Sequence, residues 1–354
     1  MTAKEADWRP YRVIDRKVES ETIVSLDLAP ADGSPPPPFR PGQYLTFRFA
    51  DRAGAPTQRT YSISSDPADG TRRRISVKRE PGGVGSGHMH DRMPPGATIE
   101  TLAPKGAFTL DETSNRPVIL LAGGIGVTPL LAMAHALART ARRATLIHAC
   151  QNGAVQPFAR ELGALARECA SLRYAVCLAE PTAADLAARA FDFQGFVTRE
   201  ILQALLPIDD YEVYLCGPTP FMRAMFTLLT LLGVAEPRIA YEFFGAGQSL
   251  RAADVSAAPA TPRTGAAPQA DGDMVVFARS GLSVPWDGRH RSLLELAEAH
   301  GLTPAFSCRA GVCSTCLCEI EGRVRYFEEP LDIPPAGQAL ICCSTPDGPV
   351  TLQI

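Results

Sequence analysis

Residues 306–316 constrain this chain more than any other stretch. The run Phe306-Ser-Cys-Arg-Ala-Gly-Val-Cys-Ser-Thr-Cys316 sets Cys308, Cys313 and Cys316 in a C-x4-C-x2-C loop, and Cys342 follows 26 residues later. This spacing suits a [2Fe–2S] cluster completed by a distant fourth thiolate. Two irons and two sulfides need four thiolates converging on one pocket. The loop supplies three, and Gly311 lets the backbone fold closely around the centre. Ser314 and Thr315 sit where backbone N–H groups can point at the sulfurs and tune the potential. The fourth ligand is Cys342 or Cys343. A structural zinc site is the alternative, but zinc favours paired short hooks. The loop therefore points to single-electron transfer.

A chain of 354 residues exceeds one ordinary core, so two or three domains are expected. With 45% apolar and 21% charged residues it reads as soluble and globular. A net charge of −3 argues against nucleic acid as a partner. Residues 274–354 carry nine acidic and six basic side chains, so the whole excess falls there. That segment offers either a docking face for a basic partner or an ordinary solvated surface. The ten cysteines are scattered, and the charged start Met-Thr-Ala-Lys-Glu has no apolar h-region. Reduced thiols in the cytoplasm, in a monomer, are the expectation. Residues 117–138 hold no charged side chain, long enough to test as a membrane span. Gly123, Gly124, Gly126 and Pro129 interrupt them, so a buried strand, turn and helix is expected instead, with no membrane span.

Turn signals and short alternating runs over residues 8–111 predict an antiparallel β-barrel, with strands at Arg12–Lys17, Ile23–Leu28, Tyr44–Phe49, Thr60–Ser64, Arg74–Lys78 and Thr98–Leu102. Over 112–246 the rhythm becomes strand, helix, strand, which predicts an α/β domain with a parallel sheet. Its expected elements are strands at Val118–Ala122, Ala144–Ala149, Tyr174–Leu178 and Glu212–Cys216, and helices at Leu130–Arg139, Pro157–Glu168 and Pro220–Leu232. Residues 247–273, rich in Ala, Pro, Gly and Ser, read as a semi-stiff linker. From 274 to 354 a hairpin (Met274–Arg279, Leu282–Trp286), an amphipathic helix at Ser292–His300 and the cysteine loop predict a β-grasp, ferredoxin-like domain.

Two motifs in the barrel suit a flavin. Arg59-Thr60-Tyr61-Ser62 joins a cation, an aromatic ring and hydroxyls on one strand, and alternation puts Arg59, Tyr61 and Ile63 on one side. Guanidinium suits phosphate, and a phenol and a hydroxyl suit the ring system. After Val77-Lys78-Arg79, the run Gly82-Gly83-Val84-Gly85-Ser86 feeds a short helical segment at His88–Met93, a ready phosphate site. In the second domain, Gly123-Gly124-Ile-Gly126-Val-Thr128-Pro129 ends a buried strand and opens a helix. Pro129 stands where the dinucleotide fingerprint would place its third glycine, so a standard Rossmann dehydrogenase is disfavoured. Cys216-Gly217-Pro218 follows another buried strand, at the sheet edge where such folds bind ligands. A buried cysteine is ordinarily just small and apolar; here the Gly-Pro turn and Phe221-Met222 favour a site.

With these motifs in this order, the chain resembles the ferredoxin–NADP reductase superfamily, from about Trp8 to Ile354 apart from the linker. With its C-terminal domain it resembles the phthalate dioxygenase reductase and vanillate demethylase reductase class. His148-Ala-Cys-Gln-Asn152-Gly153 and Tyr241-Glu242-Phe-Phe244-Gly245 are similar to the reductase part of flavohaemoglobins. The resemblance implies Arg59, Thr60, Tyr61 and Ser62, with Val77 and Lys78, on the flavin, and Gly83, Gly85 and Ser86 at its phosphate. It implies Gly124, Gly126, Thr128, Pro129, Gly217 and Pro218 along the nicotinamide nucleotide, and Cys216 beside the reacting nicotinamide carbon. Phe244 would sit near the flavin edge, so Ser62, Cys216 and Phe244 form the implied catalytic set; Glu242 is plausible there without a defined role. The ferredoxin habit of a proline four residues after the last ligand selects Cys342, with Pro346, to join Cys308, Cys313 and Cys316.

The cofactor readings leave alternatives. The dioxygenase reductase class uses FMN, whereas Gly-Gly-x-x-Ser followed by His-Met-His90-Asp91 is closer to FAD-binding relatives, and FAD is preferred. No Arg or Lys falls within His148–Gly153 to receive a 2′-phosphate, which tilts the donor to NADH over NADPH. His88, His90, His135, His148, His290 and His300 form no ligand set and read as surface or satisfied interior residues. Cys318 and Cys343 read as spare buried thiols, and Cys150, Cys169 and Cys177 as packing. The expected function is a reductase in which NADH supplies two electrons, the flavin divides them, and the cluster passes them singly to a protein, the Rieske-type oxygenase of a demethylating or aromatic-oxidising system. A different acceptor (a haem or iron–sulfur protein, or a quinone) and a non-catalytic redox carrier or sensor are the alternatives.

Overall fold

The computed structural model describes residues 7–51, 54, 56–244, 250, 273–306, 311, 316–327, 330 and 334–354. They form two compact units, one ending at Phe244 and one following it.

The first unit opens with six strands: β1 (Arg9–Ser20), β2 (Ile23–Pro30), β3 (Tyr44–Ala50), β4 (Pro56–Ser62), β5 (Arg73–Lys78) and, after helix α1 (Val84–Asp91), β6 (Thr98–Thr101). They pair antiparallel in the order β4-β3-β6-β1-β2-β5. Alternate residues point inward, as the pleat requires: Tyr11 and Val13, Leu26 and Leu28, Leu45, Phe47 and Phe49, and Ile75 and Val77 share one buried core. An Ile63–Ile75 bridge and a 2.8 Å bond from Ser64 N to the Arg74 carbonyl close the sheet into a barrel. That closure explains why β4 stops short of the predicted Ser64. Ser62 is the last residue paired with β3, opposite Tyr44, and Ile63 already belongs to the seam with β5.

The rest of this unit alternates strand and helix: β7 (Val118–Gly123), α2 (Val127–Leu137), β8 (Ala144–Cys150), α3 (Ala159–Glu168), β9 (Leu172–Leu178), α4 (Ala183–Ala188), β10 (Phe193–Gln194), α5 (Arg199–Leu205), β11 (Glu212–Cys216), α6 (Thr219–Leu231) and β12 (Ile239–Glu242). All six strands run parallel, in the order β10-β9-β8-β7-β11-β12. The charge-free stretch 117–138 becomes β7 and α2. β7 is buried throughout, and α2 is enclosed because Leu130, Leu131 and Met133 join the sheet's core while Ala132 joins the barrel's. Burial on both faces, rather than lipid, accounts for the missing charges. Among the described residues no helix is long and apolar enough to cross a membrane. Helix α3 starts at Ala159, not at the predicted Pro157, because Phe158 adopts a left-handed conformation with φ 61°.

The second unit holds β13 (Met274–Phe277), β14 (Leu282–Pro285), α7 (Leu293–Ala299), β15 (Leu317–Tyr326), β16 (Gln338–Leu340) and β17 (Ser344–Leu352). The sheet order is β14-β13-β17-β15-β16, with β13 and β17 parallel and the other pairs antiparallel. Ser292 caps α7 by accepting the Glu295 N–H at 3.1 Å, and Leu293, Leu294, Leu296 and Ala297 bury its inner face. A helix laid across such a mixed sheet is the expected β-grasp arrangement. Apart from Leu250 and Asp273, the linker assigned to 247–273 lies outside the described residues.

Candidate functional site

Strand β4 and the glycine turn before α1 meet on the barrel. A Cβ at Gly85 would lie 2.6 Å from Arg59 Cγ and 2.8 Å from Tyr61 Oη, so only glycine lets the turn close on that strand. Arg59 is exposed, with one guanidinium nitrogen donating to the Gln58 carbonyl at 2.6 Å. Tyr61 is part-buried against the barrel core, and burial pushes its phenol up to about 12 against the pull of Arg59. The Ser86 hydroxyl accepts the Glu80 N–H at 3.1 Å and donates to the Gly83 carbonyl at 3.4 Å, closing the turn on itself. Gly83 caps α1 with no side-chain hydrogen bond, which leaves first-turn N–H groups without a side-chain acceptor, a setting that suits an anion. Of the other barrel residues named from the sequence, Thr60 pairs opposite Thr46 and Val77 is buried, its carbonyl accepting from His90 Nε2 at 2.9 Å. Lys78 is exposed and pairs with Glu80 at 3.0 Å.

The strand order of the parallel sheet reverses between β7 and β11, and crevices at such a switch point are where these sheets take ligands. Both glycine turns sit there. A Cβ at Gly126 would lie 2.3 Å from the Cys216 carbonyl oxygen and 2.7 Å from the Gly217 nitrogen. Gly217 is equally tight against Gly123, 2.9 Å from its Cα, and Phe221 packs on both. The space outside Gly124 is open, and its φ of +53° favours glycine. Thr128 donates its hydroxyl to the Ile125 carbonyl at 3.0 Å, bracing the turn, and Pro129 is buried in the first turn of α2. Pro218 caps α6.

The two halves meet at Glu242, the residue left without a role by its sequence. β11 and β12 place Cys216 directly beside Glu242, and the carboxyl accepts a hydrogen bond from Ser62 at the end of β4. Its Oε2 is buried with no hydrogen-bond partner among the described residues. Burial outweighs the Ser62 bond and pushes the carboxyl up to about 8. Burial, with Glu242 next to it, also drives the Cys216 thiol well above its usual range, so Cys216 is a neutral thiol and not a nucleophile. Phe244 presents a ring 46% exposed, two residues past Glu242.

His148, read from sequence as a surface or satisfied interior histidine, braces the Gly124–Gly126 turn. It is fully buried, and its Nε2 donates to the Gly124 carbonyl at 2.9 Å. Nδ1 faces the Tyr174 hydroxyl at 3.5 Å, which accepts from Gln156 Nε2 at 3.0 Å. Burial pushes the imidazole down to about 4, opposed by the Gly124 bond, so it stays neutral. The run His148-Ala-Cys-Gln-Asn152-Gly153 stood out in the sequence as a resemblance, but only the packing of β8 beside β7 shows what His148 holds.

In the second unit, Cys308 and Cys313 lie outside the described residues, as do Ser314 and Thr315. Cys316 and Cys342 are buried, and the Ile341 N–H donates to the Cys316 carbonyl at 3.4 Å. Tyr326 lies near Cys343, Cys316 and Cys342 and has its phenol raised first by burial and then by those thiols. Gly311, at φ +67°, sits where a Cβ would be 2.9 Å from Cys343 Sγ. Cys318 stands apart, donating to the Glu319 carbonyl at 3.2 Å with Arg279 and Gln353 around it. Among the described residues Cys150, Cys169, Cys177, Cys216, Cys316, Cys318 and Cys342 are free thiols. The buried Cys316 and Cys342, both near Tyr326, and Gly311, held in the left-handed region against Cys343, fit a cluster loop. The glycine-lined turns and the unpartnered Glu242 oxygen fit a flavin and a dinucleotide.

Comparison with known proteins agrees domain by domain. Residues 10–110 match the oxidoreductase FAD-binding domain family, 120–226 the oxidoreductase NAD-binding domain family, and 276–347 the 2Fe-2S iron-sulfur cluster binding domain family. The chain is 39% identical over 246 residues to a flavohemoprotein of Bordetella pertussis, covering 68% of this chain and 61% of that one. It thus spans about 61% of the length of that relative. It is 32% identical to the flavohem-like FAD/NAD binding domain of nitric oxide dioxygenase from Vibrio cholerae, with a TM-score of 0.61, over 68% of this chain and 100% of that domain. Phthalate dioxygenase reductase shares the fold across 98% of both chains, at 24% identity and a TM-score of 0.60. The chain therefore belongs to the ferredoxin–NADP reductase superfamily and joins FAD-binding and NAD-binding domains to a C-terminal [2Fe–2S] ferredoxin domain.

Proposed function

We propose that this reductase takes electrons from NADH through FAD and the [2Fe–2S] cluster to a separate acceptor protein, the Rieske-type oxygenase component of an aromatic-oxidising or demethylating system. The observation that carries the reading is the meeting of Ser62, from the barrel, with Glu242 and Cys216, from the nucleotide sheet, at one carboxyl. Bound FAD supplies the exchange between a two-electron donor and a one-electron acceptor. Arg59, Tyr61, Gly85 and the α1 turn would hold it, and Gly124, Gly126, Thr128 and Gly217 would line the nicotinamide nucleotide. Cys216 offers a flat, neutral surface there. Glu242, protonated at neutral pH, can hold a proton at a carboxyl oxygen beside Ser62 without placing a negative charge in the site. Cys342 is the fourth cluster ligand in this reading, with Cys308, Cys313 and Cys316. Free thiols suit the cytoplasm, and a single chain carries every module, so a monomer suffices.

An anaerobic NADH titration of the purified chain tests the first half. Flavin and iron–sulfur absorbance should bleach in sequence; a flavin spectrum without the iron–sulfur envelope would remove the cluster from the scheme. For the acceptor, NADH-driven reduction of a Rieske-type oxygenase component is compared with that of cytochrome c and a quinone. Faster reduction of either of the latter would replace the proposed partner.

A further inference from the structure

A part-buried ion cluster, built from residues assigned to no cofactor, joins the barrel to the nucleotide sheet. Arg74, on β5, donates from Nη1 to Glu161 Oε2 at 2.9 Å and from Nη2 to Glu161 Oε1 at 2.8 Å, a bidentate pair. The same guanidinium donates to the Ser64 carbonyl at 2.6 Å and to Ser64 Oγ at 3.3 Å, and lies 5.1 Å from the Phe158 ring centroid. His135, on α2, donates from Nε2 to Glu161 Oε1 at 2.8 Å. The side chains of Arg74, Glu161 and His135 are only 14%, 25% and 16% exposed. Burial alone would raise Glu161, yet the bonds from His135 and Arg74 pull it down to about 2, so the carboxylate is ionised at working pH. Arg139 and Asp66 pair along the same seam.

The cluster reaches both halves of the site. Ser64 follows two residues after Ser62, at the seam that closes the barrel. α2 runs from the Gly124–Gly126 turn at one end to His135 near the other. Phe158, the floor under Arg74, holds the left-handed conformation that starts α3 one turn before Glu161, and its ring belongs to the core of the nucleotide sheet. A buried ion pair adds little net stability over an apolar contact of the same shape, but it accepts few arrangements. What this cluster contributes is one angle between two domains that share a reaction.

We propose that Glu161 is a positioning residue: through Arg74 and His135 it fixes the orientation in which the nicotinamide turn faces the Ser62 edge of the barrel, and so the orientation in which NADH meets the flavin. This rests on the NADH-to-flavin reading above. The test is anaerobic rapid mixing of the FAD-loaded full chain with NADH, following flavin absorbance at several NADH concentrations, for wild type, Glu161→Gln and His135→Leu. Small misalignments at a reacting pair cost up to about a hundredfold in rate. The limiting rate of Glu161→Gln should therefore fall about tenfold or more, with FAD content and half-saturating NADH near wild type; His135→Leu should fall less, in the same direction. A limiting rate within twofold of wild type, with only the melting temperature lowered, overturns the proposal. If Glu161→Gln does not fold, an unchanged limiting rate in His135→Leu overturns it equally. Failure of NADH to bleach the wild-type flavin sinks the underlying reading instead.

Discussion

Glu242 yields the sharpest prediction, because its environment inverts the usual behaviour of a carboxylate. Its ordinary value is 4.5 and burial raises it to about 8 against the Ser62 bond. At pH 7 the folded chain would hold this carboxyl about ten to one protonated, because a value about one unit above the pH gives a tenfold ratio. The sign for stability follows. Between pH 4.5 and about 8 the unfolded chain releases a proton that the folded chain keeps, so the contribution of this group is complete below the lower value and is lost as pH rises through the upper one. At about 1.36 kcal/mol per pH unit, that interval sets a ceiling of about 5 kcal/mol. Glu242→Gln keeps the shape and removes the titration, so its stability relative to wild type should rise steadily from pH 5 to pH 9. Denaturation midpoints of the two proteins across that range measure it, and a difference infrared spectrum should show a carboxylic-acid carbonyl band, absent in the variant, that vanishes with a midpoint near 8. A band that titrates near 4.5, or a stability difference flat with pH, would refute the placement of this carboxyl in a buried site.

Three further outcomes follow from the same geometry. Gly126→Ala would drive a Cβ to 2.3 Å from the Cys216 carbonyl; with backbone on both sides it should cost about 1–3 kcal/mol and abolish the response to NADH while FAD remains bound, as read by melting temperature and flavin spectrum. His148→Leu leaves the part-buried Gly124 carbonyl without the donor it now has at 2.9 Å, a loss of about 1 kcal/mol or more, so half-saturating NADH should rise about fivefold or more, and His148→Gln, which keeps a donor, should recover much of it. Cys169, part-exposed with its thiol lowered chiefly by the Ser171 hydroxyl, should alkylate before Cys150, Cys177 and Cys216, whose thiols burial raises; mass spectrometry showing Cys216 labelled first would contradict the buried thiol.

What could be read from the sequence was local. Arg59-Thr60-Tyr61-Ser62, the turn through Gly126 and Cys216-Gly217-Pro218 each lie on a few consecutive residues, where strand alternation and glycine spacing carry the chemistry directly. The alternation of Arg59 with Tyr61 placed both toward the α1 turn, as the packing of Gly85 requires. The contact of Ser62 with Glu242 spans 180 residues and depends on how the parallel sheet docks on the barrel, so no pattern announced it. The same holds for Arg74, Glu161 and His135, which come from three separate elements and meet only once α2 is packed between two cores. Phe158 shows the limit from the other side: a left-handed phenylalanine at a helix start breaks the local rule that residues 157–168 follow, and only the tertiary setting supports it.

The electrostatics of the site explain how so little reactive chemistry can serve a redox enzyme. Cys216 is held as a thiol, Glu242 as an acid and His148 as a neutral imidazole at pH 7, each chiefly by burial. A thiolate or a carboxylate at the switch point would repel the phosphates of both nucleotides and would disfavour electron density arriving on the flavin. The fixed positive charge of Arg59 stands instead on the barrel surface beside α1, where the proposed function would place a pyrophosphate. The protein thus separates the charge that binds from the neutral groups that line the reacting face. Electron transfer between bound cofactors needs position and a quiet field more than an acid or a nucleophile. By this argument a Cys216→Asp substitution, whose buried carboxyl ionises only as pH rises, should slow flavin reduction by NADH relative to Cys216→Ala, which only opens space, and increasingly so toward high pH. Equal rates in the two variants would show that charge at this position is not what the fold guards against.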